Sequence, residues 1–205
     1  MTHPSIRVGR VVCAAASLAA LVYIPASSGD VPGFTIANFF SYFTVLSNVL
    51  AVVVLGVGGA LDPQSPRWDA FRGSVVTYMV ITGIVYAVLL AEVDVNVRDP
   101  WTNNVLHRIV PLAILLDWLI APARTAISNR TALSWLWFPV AYGVYSLIRG
   151  PIVEWYPYPF LDPRTQGYVA LGIGLIVLIG GFVLIAMAIA NLGELAGRRR
   201  SARAR

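Results

Sequence analysis

The chain has 205 residues, of which 58% are hydrophobic and only 12% are charged, and its mean hydropathy is +0.72. Soluble domains carry about 25% charged residues, so this composition excludes a soluble globular protein and indicates an integral membrane protein. The net charge is +5, all of the basic residues are arginines, and several arginines cluster at the C-terminal end. No nucleic-acid recognition motif accompanies the cluster, so it predicts contacts with anionic lipid head groups and no binding to nucleic acid.

Six apolar stretches follow one another, each near the roughly 20 residues that cross a bilayer. They lie at residues 11–24, 39–61, 73–93, 105–121, 133–148 and 168–192. The first and fifth are short, and Pro25 and Pro151 are predicted to end them. The sequence therefore predicts an all-α polytopic membrane protein with six transmembrane helices. Residues 1–197 are predicted to form one domain, followed by a basic cytoplasmic tail at residues 198–205.

Arginines decide the predicted orientation, because cytoplasmic segments carry an excess of them. With the N-terminus inside, the inner segments hold eleven arginines and the outer loops hold three, Arg98, Arg149 and Arg164. Both termini are therefore predicted to be cytoplasmic, in a multi-pass protein of the plasma (inner) membrane. A cleaved signal peptide is the alternative for the first stretch, since Arg7 and Arg10 precede it and small residues follow it.

Cys13 is the single cysteine, which excludes an internal disulfide and a cysteine-based zinc site. The sequence also lacks a glycine-rich phosphate loop and the His-Glu-x-x-His zinc motif. We therefore expect neither a metal nor another cofactor.

His107 is the first candidate for a functional residue. It lies near the start of the fourth stretch, where an ionisable side chain is costly and suggests function. Thr44 lies on the second stretch, which runs in the same direction, and both are expected roughly 5 to 10 Å below the outer boundary. A histidine within reach of a hydroxyl can act as its general base, so the pair predicts a nucleophilic site.

Thr44 belongs to a polar stripe with Ser41, Ser47 and Asn48, whose spacings of three and four predict one shared helical face. The alternative interpretation is structural, since Ser, Thr and Asn often hydrogen-bond between membrane helices without any chemistry. Asn48, one turn below Thr44, is the candidate oxyanion donor. Tyr42 and an outer-loop amide are the alternatives for that donor.

Asp117 is a third polar group within a span, ten residues after His107. It is therefore about 15 Å deeper and is not expected to orient the histidine. We expect it to pair with Arg72 or Arg124, or to anchor the bundle.

Two features of the outer side are candidates for substrate contacts. Arg149 ends the fifth stretch and is suited to a carboxylate head group, with interfacial anchoring as the alternative. The loop at residues 154–162, which includes Tyr158, is dense in prolines and aromatic residues. Prolines stiffen a segment, so this loop is predicted to form a lid over Thr44 and His107, with an aromatic belt as the alternative.

Arg108 is expected to reach the interface or to pair with an acidic residue at position 92 or 94.

Three short blocks resemble a known family. They are FFSYFTVLSN at residues 39–48, NVLHRIVP at residues 104–111 with Asp117 and Trp118 following, and YPFLD at residues 158–162. This pattern is similar to the androgen-induced-gene family, which includes the androgen-dependent TFPI-regulating proteins and bacterial six-span members. The likeness runs from the second span to the last outer loop.

The resemblance implies an activity. Animal members of that family are intramembrane threonine hydrolases that act on fatty acid esters of hydroxy fatty acids. Their catalytic threonine matches Thr44 and their essential histidine matches His107, while Asp117 stands where they have Glu. The expected partner is thus a membrane lipid or fatty-acyl ester. The alternative is a lipid-binding or transport protein that uses the same polar pocket without covalent chemistry, and a third interpretation is a purely structural membrane subunit.

Overall fold

The computed structural model describes residues 2–91 and 99–203, and this part of the chain is helical without any strand. Six helical segments in it are long and apolar enough to cross a membrane, as the sequence predicts. They are Pro4–Ser27, Phe43–Ala60, Pro66–Leu90, Pro100–Ile120, Asn129–Val153 and Pro163–Arg198. This architecture is that expected of a multi-pass membrane protein.

Several spans consist of more than one helical element. Helix α1 (Pro4–Ser27) is followed by the short α2 (Ile36–Phe39), α3 (Phe43–Ala60) and α4 (Pro66–Val85). A π-helical turn, Tyr86–Leu90, extends α4, and a second π-helical turn, Val105–Ile109, joins α5 (Pro100–Asn104) to α6 (Val110–Ile120). The remaining elements are α7 (Asn129–Ser134), α8 (Trp137–Val153), a 3-10 turn at Pro159–Leu161 and α9 (Pro163–Arg203).

The predicted helix ends at the two prolines are wrong. Helix α1 continues past Pro25 to Ser27, and α8 continues past Pro151 to Val153. Each proline lies two residues before the end of its helix, where its missing N–H removes a hydrogen bond but only one short turn remains. The predicted basic tail also begins within a helix, because α9 extends to Arg203.

Helices α1 and α3 approach each other closely through glycine. A Cβ at Gly59 would lie 2.8 Å from the carbonyl oxygen of Arg7, so only glycine fits this crossing. Deeper in the bundle, the Ser17 hydroxyl donates a hydrogen bond to Asn48 Oδ1 at 3.1 Å. Removal of the first helix as a signal peptide would delete both contacts.

One end of the bundle contains a cluster of six charged residues, of which five are buried and Arg124 is 37% exposed. The charged cluster consists of Arg10, Arg72, Arg124, Asp62, Asp69 and Asp117. Asp117 joins two helices to α6, since it accepts from Arg10 Nε at 2.7 Å and from Arg72 Nη2 at 3.1 Å. The predicted pairing of Asp117 with Arg72 is confirmed, whereas Arg124 pairs with the other two aspartates. Three cations face three carboxylates, which is the balance that buried charges need.

Candidate active site

Thr44 and His107 meet at the opposite end of the bundle from the charged cluster. Thr44 Oγ1 lies 3.2 Å from His107 Nε2, so the predicted proximity of the two side chains is confirmed. The start of the span was predicted wrongly, because residues 36–39 form the separate helix α2 and α3 begins only at Phe43. Thr44 consequently lies in the first turn of α3, where backbone N–H groups have no partner within the helix.

The polar stripe is only partly helical. Ser41 precedes α3, and its hydroxyl donates to the Ala37 carbonyl and contacts the Tyr145 hydroxyl at 2.9 Å. The prediction that it shares a helical face with Thr44 is therefore wrong. Ser47 and Asn48 do lie on α3, and both are completely buried.

The hydrogen bonds of His107 define its tautomer. Its Nδ1 lies 3.2 Å from the carbonyl oxygen of Asn103. A carbonyl oxygen can only accept, so Nδ1 carries the hydrogen of the neutral imidazole and Nε2 presents a lone pair. That lone pair faces the Thr44 hydroxyl, which is the arrangement of a general base and its nucleophile.

Two π-helical turns hold the histidine ring. His107 belongs to the turn Val105–Ile109, and its ring stacks on Tyr86 of the turn Tyr86–Leu90, with centroids 4.4 Å apart and planes at 27°. Asn103 Nδ2 donates to the Tyr86 hydroxyl at 2.6 Å, which fixes the tyrosine in turn. π-helical turns are rare in proteins, and those that occur often lie at functional sites. The sequence did not indicate roles for Tyr86 and Asn103, because the spacing of apolar residues does not distinguish a π-helical turn from an α-helical one.

Tyr158 reaches Thr44 from the outer loop. Its hydroxyl oxygen lies 3.3 Å from the Thr44 backbone nitrogen, which donates to it, and 3.4 Å from Thr44 Oγ1. Burial raises the pKa of the Tyr158 phenol, so the hydroxyl remains protonated at neutral pH and can donate. Trp155, Pro157 and Pro159 line the same cavity as His107, so the predicted position of the loop over the pair is confirmed.

Asn48 is placed differently from its prediction. Its Nδ2 donates to the carbonyl oxygens of Thr44 at 2.9 Å and Leu106 at 3.1 Å, and its Oδ1 accepts from Ser17. Both amide hydrogens are thus occupied and the side chain is fully buried. The prediction of an oxyanion donor at Asn48 is therefore wrong, and the residue instead fixes α3 against the π-helical turn that carries His107.

Arg149 and Arg108, two of the arginines at this end, contact protein groups. Arg149 donates to Asn38 Oδ1 at 2.7 Å and lies over the Trp155 ring at 5.4 Å, and it lines neither of the cavities described below. Arg149 thus anchors the loop at residues 154–162, and its contact with substrate stays a prediction. Arg108 donates to Asn104 Oδ1 at 3.0 Å. The acidic partners predicted for Arg108, at positions 92 and 94, lie outside the described residues.

Two cavities meet at Thr44. The apolar cavity, of about 180 Å³, lies between α4, α8 and α9, and its walls are almost entirely carbon. The second cavity, of about 490 Å³, lies beneath the loop at residues 154–162 and has the polar side chains Asp99 and Thr102 in its wall; we call it the outer cavity after the predicted orientation. Thr44 and Tyr158 line both cavities, whereas His107 lines only the outer one.

Within the described part of the chain, no three His, Cys, Asp or Glu residues are grouped to hold a metal ion.

Comparison of the chain with protein families, curated proteins and solved structures gives no match. The resemblance to the androgen-induced-gene family therefore rests on the three sequence blocks alone.

Proposed function

We propose that the protein is an intramembrane threonine hydrolase that cleaves ester bonds of lipid-like substrates. The observation that carries this proposal is the 3.2 Å contact between Thr44 Oγ1 and an Nε2 whose lone pair is free to accept a proton. The family resemblance adds the substrate type, fatty acid esters of hydroxy fatty acids.

The proposed reaction has two halves. Thr44 Oγ attacks the ester carbonyl carbon while His107 Nε2 takes the hydroxyl proton. The carbon–oxygen bond to the alcohol then breaks, His107 returns the proton to the leaving oxygen, and an acyl-threonine remains. Water attacks this acyl group as His107 takes its proton, the carboxylic acid departs, and the proton returns to Thr44.

The negative charge on the carbonyl oxygen requires hydrogen-bond donors. The Tyr158 hydroxyl and the Thr44 backbone N–H lie side by side at the first turn of α3. A helix N-terminus also carries a partial positive charge that favours an anion. We assign the Tyr158 hydroxyl as the oxyanion donor in place of Asn48, because the Thr44 N–H donates to the Tyr158 oxygen and orients this hydroxyl.

Among the described residues, no carboxylate contacts His107 in the proposed site. The Asn103 carbonyl performs that role through Nδ1, and Asp117 is engaged by Arg10 and Arg72 in the charged cluster. A neutral carbonyl stabilises the imidazolium less than a carboxylate does. We therefore expect slow turnover, compatible with a lipid hydrolase.

The proposed orientation places the Thr44 end at the outer face of the plasma (inner) membrane and both termini in the cytoplasm. The arginine count supports it. Thr2 hydrogen-bonds Asp62 in the charged cluster, so the N-terminal end of α1 lies on the side that this orientation assigns to the cytoplasm.

Ester hydrolysis by the purified protein in detergent micelles tests the proposal. We expect Thr44→Ala to abolish turnover and His107→Asn to lower kcat by about 10² to 10⁴, the usual contribution of a general base. Thr77→Ala is the matched control, because Thr77 is also buried, donates to the Gly73 carbonyl and lines neither cavity. Ester binding without turnover would instead support the alternative of a lipid-binding protein.

A further inference from the structure

The two cavities differ in their access to His107, and this difference distinguishes the two halves of an ester. Thr44, the proposed nucleophile, and Tyr158, the proposed oxyanion donor, border both cavities. A carbonyl carbon bound beside Thr44 therefore has one substituent directed toward each cavity. His107 borders the outer cavity alone.

The proton returned by His107 must reach the leaving alcohol oxygen, so this oxygen has to lie on the histidine side of the carbonyl carbon. The hydrolytic water must also approach from that side, because the same nitrogen activates it. An acyl chain in the outer cavity would occupy the space that this water needs. The acyl chain is consequently left with the apolar cavity.

We propose that the apolar cavity between α4, α8 and α9 binds the acyl chain of the ester, and that the outer cavity beneath the loop binds the alcohol part. This assignment rests on the proposed hydrolase function and adds to it which half of the substrate each cavity selects. The outer cavity also retains the room for water after the alcohol has left.

The walls of the apolar cavity suit a hydrocarbon chain. Dry cavities of about 150 Å³ with aliphatic and aromatic walls bind small hydrocarbons such as benzene. The cavity of about 180 Å³ encloses the first part of an acyl chain. Its lining residues Val140, Val144 and Ile179 are 39%, 53% and 48% exposed on the outer surface of the bundle, so the rest of a long chain extends between α8 and α9 into the lipid.

Gly143 offers a way to narrow this cavity without disturbing its walls. It lines the apolar cavity, and a Cβ at this position would have no heavy atom within 4 Å. Gly143→Leu therefore fills space that the acyl chain needs. Gly180→Leu is the matched control, because Gly180 on α9 is equally unobstructed and lies outside both cavities. Val31→Phe narrows the outer cavity for the reciprocal comparison.

The experiment measures kcat/KM on p-nitrophenyl butyrate, p-nitrophenyl laurate and dodecyl acetate. We expect Gly143→Leu to lower the value for the laurate by about tenfold, which corresponds to two methylene groups excluded from an apolar site. The butyrate and dodecyl acetate should be hydrolysed as by the wild type. Val31→Phe should impair dodecyl acetate and spare the laurate, and Gly180→Leu should change none of the three.

The opposite selectivity, with dodecyl acetate impaired by Gly143→Leu, would overturn the assignment and leave the hydrolase function standing. Equal losses on all three substrates in both cavity variants would also overturn it. If Gly143→Leu does not fold, the selectivity of Val31→Phe decides alone. Hydrolysis by the wild type that persists in Thr44→Ala would refute the proposed function itself, and the assignment with it.

Discussion

Tyr158→Phe separates catalysis from stability at the candidate site. The substitution removes only the hydroxyl that lies 3.3 Å from the Thr44 nitrogen and 3.4 Å from Thr44 Oγ1. The ring remains, with its stacking on Phe160 at 5.1 Å and its edge contact with Tyr42 at 5.7 Å. Both lost contacts are long for hydrogen bonds, so the free energy of unfolding should fall by no more than about 1 kcal/mol.

The catalytic effect should be much larger. Loss of one oxyanion donor costs about 10² to 10³ in kcat. We expect kcat for a p-nitrophenyl ester in micelles to fall by about 10² with little change in KM, because the hydroxyl acts on the charge of the transition state. The formation of the acyl-threonine should slow by the same factor.

Tyr78→Phe is the matched control for this experiment. Tyr78 is also buried, its hydroxyl donates to the Trp135 carbonyl at 2.9 Å, and it lines neither cavity. Its loss should lower stability by about 1 kcal/mol and leave kcat within about threefold of the wild type. A Tyr158→Phe variant that keeps more than half of the wild-type kcat would refute the assignment of Tyr158 as an oxyanion donor.

Two further predictions concern the residues around the pair and the opposite end of the bundle. Tyr86→Leu removes the ring stacked on His107, and kcat should fall by about tenfold, the value of one aromatic contact, with KM and the unfolding temperature less affected; a change confined to KM would contradict this positioning role. Asp117→Asn leaves Arg10 and Arg72 without their shared carboxylate, so unfolding in detergent should become easier by about 3 kcal/mol. Activity per folded molecule should be unchanged in Asp117→Asn, and a selective loss of turnover would instead place Asp117 in the catalytic machinery.

The proximity of Thr44 and His107 was predictable because depth in a membrane follows from position along a helix. Hydropathy located the spans, and two spans of the same direction place residues at equal distances from their starts at similar depth. The estimate tolerated an error of four residues in the start of α3, since the residues before Phe43 remain at the same end of the bundle.

The partners of the pair were less predictable. The tautomer of His107 depends on the Asn103 carbonyl, which it meets within a π-helical turn, and the apolar pattern does not reveal such a turn. Asn48 was assigned to substrate because it lies one turn from Thr44, but its amide is directed at the Leu106 carbonyl of another span. Contacts between helices of this kind depend on rotation and crossing, which hydropathy does not determine.

The contacts of the charged cluster were also predictable from the sequence only in part. The sequence predicted that Asp117 lies away from His107 and pairs with Arg72 or Arg124, because both expectations need only helical rise and the positions of the span ends; the pair with Arg72 is the one that forms. The pairing with Arg10 depends on the close contact of α1 with α3 at Gly59. Three glycines near the end of α3, Gly56, Gly58 and Gly59, were the available signal, since small residues permit close packing of membrane helices.

Covalent labelling tests the central claim most directly. A fluorophosphonate reacts with an activated hydroxyl, so mass spectrometry of the labelled protein should show one adduct on the peptide that contains Thr44. The adduct should be absent in Thr44→Ala, form more slowly in His107→Asn and persist in Thr77→Ala. A wild-type protein that is folded and remains unlabelled, or an adduct that persists in Thr44→Ala, would contradict the account of Thr44 as a nucleophile activated by His107.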